Sequence, residues 1–174
     1  LTHLPPGGVN AISLNIGGAG GITVGTGKLI LSGNNAFNGP VVVTGGVLAA
    51  GSDTALGSAA GLTQVFDGAS LQLTPGVDLV AEVIEVAGAG PDGEGALQSL
   101  GGTNALGQLR LMDATTIGVF AGTLIVDLLT QGVPIAAVVA VVAAYSYGGW
   151  RLRGTGPRLT RPLVGQLSLL GGLY

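Results

Sequence analysis

The chain has 174 residues and a net charge of −3. It has 34 glycines and no cysteine, and 9% of its residues are charged against 47% hydrophobic. This excludes a disordered chain, which cannot carry so much apolar surface, and it excludes disulfide or thiolate chemistry. About one residue in five is glycine, against an ordinary ~7%, but there is no Gly-X-Y period and β-branched residues abound, so collagen and flexible linkers are excluded too.

In chain order, residues 1–20 read as an N-terminal lead-in segment, with Pro5, Pro6 and a glycine patch around one short strand at 11–16. No signal peptide is visible and Leu1 stands where Met would, which points to a processed or excised segment. Residues 21–126 read as β-solenoid repeats. Short strands are predicted at 22–24, 28–31, 41–43, 47–49, 63–66 and 70–73, separated by Gly and Asn. The stretch 77–86 alternates more loosely and carries Asp78, Glu82 and Glu85. On a regular strand Asp78 and Glu82 share a face while Glu85 points the other way. A turn-rich patch, GAGPDGEG at 88–95, precedes further strands at 109–112, 115–119 and 123–126. No amphipathic helical period appears before residue 127.

Strands this short bury too little to stand alone and must stack on similar neighbours. Leu29, Leu31, Val41 and Val43 fall on one face of period-two strands and are expected to point inward. Gly33, Gly39 and Gly46 are expected at turns, either with φ > 0 or where backbones approach closely. Asn34, Asn35 and Asn38 are expected to bond the backbone at corners, or to form amide ladders between rungs.

Residues 25–57 carry a string of spaced matches: Gly25-x-Gly27-x-Leu29-x-Leu31-Ser32-Gly33, then Asn35-x-Phe37-x-Gly39, then Val43, Gly46, Leu48 and Ala55-Leu56-Gly57. The pattern resembles the autotransporter-associated β-strand repeat of bacterial passenger regions. A weaker likeness runs over 95–126. There Gly107 follows Asn104 by three residues instead of four, and Leu106 stands near the expected aromatic. The resemblance implies an all-β, right-handed parallel β-helix forming a single elongated domain, usually outside the cell, whose repeats carry no catalytic residues. With rungs of about twenty residues stacked ~4.8 Å apart, the whole chain corresponds to roughly eight rungs and a rod about 40 Å long.

Candidate chemistry is sparse. Asp78, Glu82 and Glu85, with Asp92 and Glu94 beyond, form the nearest carboxylate group, but no Lys, Arg or His lies between Lys28 and Arg110 to partner them. Solvated carboxylates on the outer wall are the favoured reading of the same residues. GPDGEG lacks the repeated spacing of calcium-binding glycine-rich nonapeptides. His3 is the lone histidine, so neither a zinc site nor a Cys/His nucleophile can be assembled. The glycine clusters are followed by no helix and match no phosphate-binding pattern. The expectation is no enzyme, no catalytic or metal residues and no cofactor.

Residues 127–174 form an apolar and Arg-rich C-terminal segment. Within it, 128–150 is uncharged and ends in Tyr145, Tyr147 and Trp150, followed by Arg151, Arg153, Arg158 and Arg161. Buried strands at further rungs or an assembly interface fit its Val and Ala content. A membrane helix with an aromatic belt and basic flank is the alternative. Through Trp150 the balance of charge is −7, and from Arg151 to Arg161 it is +4. An acidic body and a basic tail can attract between subunits, while four arginines make no continuous stripe for nucleic acid. These aromatic and basic residues are the expected interface. The leading expectation is a non-enzymatic extracellular structural protein that self-associates into a surface fibre or layer. The alternative is a passenger segment of an autotransporter-like adhesin, with cell-surface glycans among its partners. A surface protein anchored through 128–150 is a third reading.

Overall fold

The computed structural model describes residues 7–127. Within them every regular element is a strand: β1 (Val9–Ile12), β2 (Gly17–Gly18), β3 (Ile22–Val24), β4 (Lys28–Leu31), β5 (Ala36–Phe37), β6 (Val41–Val43), β7 (Gly46–Ala50), β8 (Leu62–Val65), β9 (Ala69–Leu73), β10 (Asp78–Gly88), β11 (Leu97–Ser99), β12 (Thr103–Thr115), β13 (Ile117–Val119) and β14 (Thr123–Asp127). They form two six-stranded sheets in the orders β1-β4-β7-β9-β11-β13 and β3-β6-β8-β10-β12-β14, with β2-β5 as a small third wall. All the pairings are parallel, so each strand meets its counterpart one full circuit of the chain later. The architecture is a β-solenoid of about six turns, as its short Gly-bounded strands require. First and last turns are about 24 Å apart, at ~4.8 Å per spacing.

The circuits widen along the chain. Val9 lies beside Lys28 and Lys28 beside Val47, a step of 19 residues each time. Later, Leu71 lies beside Leu97 and Asp78 beside Ala105, steps of 26 and 27 residues, beyond the expected twenty. The extra length is taken up by the turns at 51–61 and 88–95 and by longer strands. In the second of these turns the Gly95 carbonyl accepts from Ser70 Oγ (2.8 Å) and from Gln98 Nε2 (3.1 Å), seating the glycine turn on the sheet.

Several strands coincide with the expected ones, including β3, β4 and β6. Three went unforeseen: β2 and β5 are only two residues long, too short to display any period, and β11 is buried at all three of its positions, without the alternation of a half-buried strand. β12 runs unbroken for 13 residues where the sequence predicted the short strand 109–112, because it has β10 on one side and β14 on the other.

The interior is built from alternating side chains. Leu29, Leu31, Val41 and Val43 all point inward and are buried, as their period predicted. Stacked on them are Leu48, Leu71, Leu73, Leu97, Ile84 and Val86, with Phe37 the one fully buried aromatic among the described residues. Leu71 lies between Leu48 and Leu97 in the sheet and has no exposed surface. Leu71→Ala should therefore destabilise by about 2–5 kcal/mol in urea unfolding, whereas Leu14→Ala, at an exposed site, should change stability by less than about 0.5 kcal/mol.

Candidate functional site

Among the described residues, the outer surface of the second sheet carries a row of polar side chains tied across successive turns. Parallel register places Thr23, Val42, Gln64, Glu85 and Arg110 in one row across five turns. Glu85 accepts from Gln64 Nε2 at 3.0 Å and from Arg110 at 3.2 Å, so its carboxylate is tied to both neighbouring turns. The ion pair is partly solvent-exposed and contributes no more than about 1 kcal/mol. Beside this row, Gln64, Val65, Phe66, Glu85, Ala87 and Met112 border a shallow hollow of about 120 Å³. Phe66 and Met112 are exposed there, which makes the hollow an apolar spot beside a neutralised charge pair.

The three carboxylates of β10 do not act together. Asp78 is exposed, and its backbone N–H donates to Asp53 Oδ1 at 2.8 Å. Glu82 is buried, 4% exposed, and its Oε2 makes no hydrogen bond. The expectation that Asp78 and Glu82 share a face is thus overturned, and for Glu82 so is the outer-wall reading. The cause is a β-bulge: pairing with β12 runs through Leu79↔Leu106 and resumes at Val83↔Gln108, so that residues 80–82 oppose only Gly107. Two residues of the strand are therefore extra, and the alternation breaks at exposed Val80 and Ala81, which leaves Glu82 on the same side as Ile84 and Val86. Burial pushes its carboxyl above the ordinary glutamate range. Asp92 and Glu94 are exposed in the 88–95 turn. Among the described residues no group of three or more His, Cys, Asp or Glu is placed to hold a metal ion.

The structural turn residues sit at contacts between successive circuits. Asn35 is buried. Its Oδ1 accepts from the Ile16 N–H at 2.9 Å, and its Nδ2 donates to the Ala55 carbonyl at 2.7 Å, so one amide joins three turns. Asn104 repeats the accepting half of the arrangement, taking the Val77 N–H of the preceding turn at 2.9 Å, while it donates within its own turn to Ser99 Oγ at 2.8 Å and to the Gly101 carbonyl. Two residues after each stands a fully buried side chain, Phe37 or Leu106. Asn34 donates its backbone N–H to Asn15 Oδ1, and Asn38 accepts from Ser58 Oγ. An amide-to-amide bond between turns joins Gln72 and Gln98 (2.8 Å), a pair that the sequence did not single out.

Gly33 and Gly39 face the preceding turn so closely that a Cβ would strike the Leu14 carbonyl or the Gly20–Gly21 peptide. Gly46 has φ +69°, and a Cβ there would meet the backbone of Thr26 and Gly27. The other expected interface residues, Tyr145, Tyr147, Trp150, Arg151, Arg153, Arg158 and Arg161, lie outside the described residues, as do His3 and the uncharged stretch 128–150.

Set beside known proteins, the chain is 34% identical over 112 residues to an adhesin, the BmaC autotransporter of Brucella suis biovar 1 (strain 1330). The matched region is 61% of this chain and 3% of the adhesin's own length. No protein-family model and no solved structure matches the sequence significantly.

Proposed function

We propose that this chain is a stretch of the surface-displayed passenger rod of an autotransporter-like adhesin, extracellular and non-enzymatic. The observation that carries the reading is the conjunction of a β-solenoid with 34% identity to an autotransporter adhesin over 112 residues. A solenoid suits this role because each turn leans only on its neighbours, so length is added without a new core. The turns are tied by corner asparagines and inter-strand ladders instead of disulfides, which suits a chain free of cysteine. Enzymatic silence is supported by the dispersal of the β10 carboxylates, one outward, one buried and one paired with Arg110. The natural partner is then a cell surface or its glycans.

Antibodies against the recombinant chain, applied to intact source cells, test the reading. Labelling that external protease removes is the expected result. Labelling that requires permeabilised cells would refute it.

Self-association of such rods into a fibre or layer is the second reading. It is favoured by the sparse charge and by exposed Phe66, just after β8, and Val80 on β10, 47% and 60% accessible. Electron microscopy of the full chain separates the two: uniform fibres support assembly, and a monodisperse monomer at high concentration supports a passenger rod.

A further inference from the structure

Glu82 stands apart from every other carboxylate of the described residues. It is 4% exposed, turned toward the solenoid interior, and its Oε2 lacks any hydrogen-bond donor. No compensating group faces it from the packed elements. β8 offers Leu62, Thr63, Gln64 and Val65, none ionisable, and the buried Thr63 hydroxyl makes no hydrogen bond either. β12 brings Arg110, already engaged with Glu85, and Asp113, exposed and of like charge. On β10 itself Asp78 is exposed, beside Asp53, and Glu85 is paired. β7, β9 and β11, which form the opposite wall, contain no ionisable residue.

The backbone at the same place is the least supported part of the strand. Between Leu79 and Val83 the ladder to β12 is interrupted, and pairing with β8 begins only at Val83. Gly107, opposite the bulge, approaches the carbonyl oxygens of Val80 and Glu82 so closely that a side chain there could not be accommodated unmoved. An ionised carboxylate in that position has no cation beside it and no hydrogen bond at the buried Oε2 to offset the hydration lost there. The bulge can yield without breaking a regular ladder.

We propose that Glu82 and the 80–82 bulge form a proton-operated latch: the protonated carboxyl stays tucked against the core, and its ionisation releases the proton to solvent and turns the segment outward. The turns on either side keep their pairing in both states. The sign follows from burial, which raises the folded-state value above the ordinary 4.5. The latch's contribution to stability is fully present below the unfolded value and is lost as pH rises through the folded one. Lower pH therefore tightens this part of the rod and rising pH loosens it, irrespective of what the rod binds.

Two measurements on the full chain test this. Carbon-detected NMR titration of the Glu82 carboxyl should give a midpoint above 4.5, and a midpoint at or below that value would overturn the proposal. Hydrogen exchange, corrected for the intrinsic effect of pH, should show amides 81–84 losing protection through the same midpoint, while those of β4 and β7 stay constant. Uniform protection across that range would also overturn it. Glu82→Gln, neutral and of equal size, should hold 81–84 protected at every pH, and retention of the wild-type pH dependence would assign the effect to another group. Should that variant fail to fold, agreement or disagreement of the two wild-type midpoints decides.

Discussion

Asn35→Ala is expected to cost about 2–4 kcal/mol, enough to unravel the first turns of the solenoid. The side chain is 5% exposed and bonds the Ile16 N–H on one turn and the Ala55 carbonyl on another. Truncation leaves the buried Ala55 carbonyl and the part-buried Ile16 N–H unpaired, at about 1–3 kcal/mol each, offset in part where the loosened turn admits water. Asn35→Asp is the informative companion. It retains the acceptor for Ile16 but replaces the donor to Ala55 with a carboxylate facing a carbonyl, and it should be at least as damaging near neutral pH. Because each turn leans on its neighbours, unfolding need not be two-state. Hydrogen exchange resolved by segment is therefore the appropriate measurement alongside urea denaturation. Loss of protection should centre on 16–37 and 55–58 and diminish toward β13. A uniform small loss, or none, would mean that the amide is dispensable.

Gly46→Ala should be comparably severe for a different reason. At φ +69° a side chain costs about 1–2 kcal/mol from the backbone conformation alone. Its Cβ would also lie 2.8 Å from the Gly27 nitrogen and the Thr26 carbonyl carbon, both backbone atoms that cannot move aside. Relief requires separating β7 from β4, whose register spans Lys28↔Val47 to Leu31↔Ala50. A loss of about 3 kcal/mol or more in urea unfolding is expected. Gly68→Ala is the control: its φ is +77° but nothing lies within 4 Å of the added carbon, so it should pay the conformational term only.

The parts of the fold legible in the sequence were those governed by strict alternation. Leu29 and Leu31, then Val41 and Val43, repeat every second residue between Gly and Asn, and a half-buried strand is the arrangement that satisfies such a pattern. Asn35 was legible as a corner residue, but its bridging of three turns depends on which residues the circuit length brings above and below it. The orientation of Glu82 was not legible. The alternation breaks within 80–82, where three residues oppose Gly107 alone, and a bulge is determined by the partner strand, here by the small size of Gly107. The same holds for the Gln72–Gln98 bond, which joins residues separated by a wide circuit including the glycine turn. The row of Gln64, Glu85 and Arg110 required the register of three strands, whereas the sequence showed only that Arg110 was the next cation after Lys28.

The parallel stacking also has a mechanical consequence. Hydrogen bonds between circuits run along the rod, so traction on its two ends loads them in tension one circuit at a time instead of shearing whole sheets together. Each 19-residue circuit of the narrow end, once peeled away, pays out about 65 Å of extended chain, and the 26-residue circuit from Leu71 to Leu97 about 90 Å. Such a rod gives way in small successive lengths, and a load that would snap a compact domain at once is met by stepwise yielding.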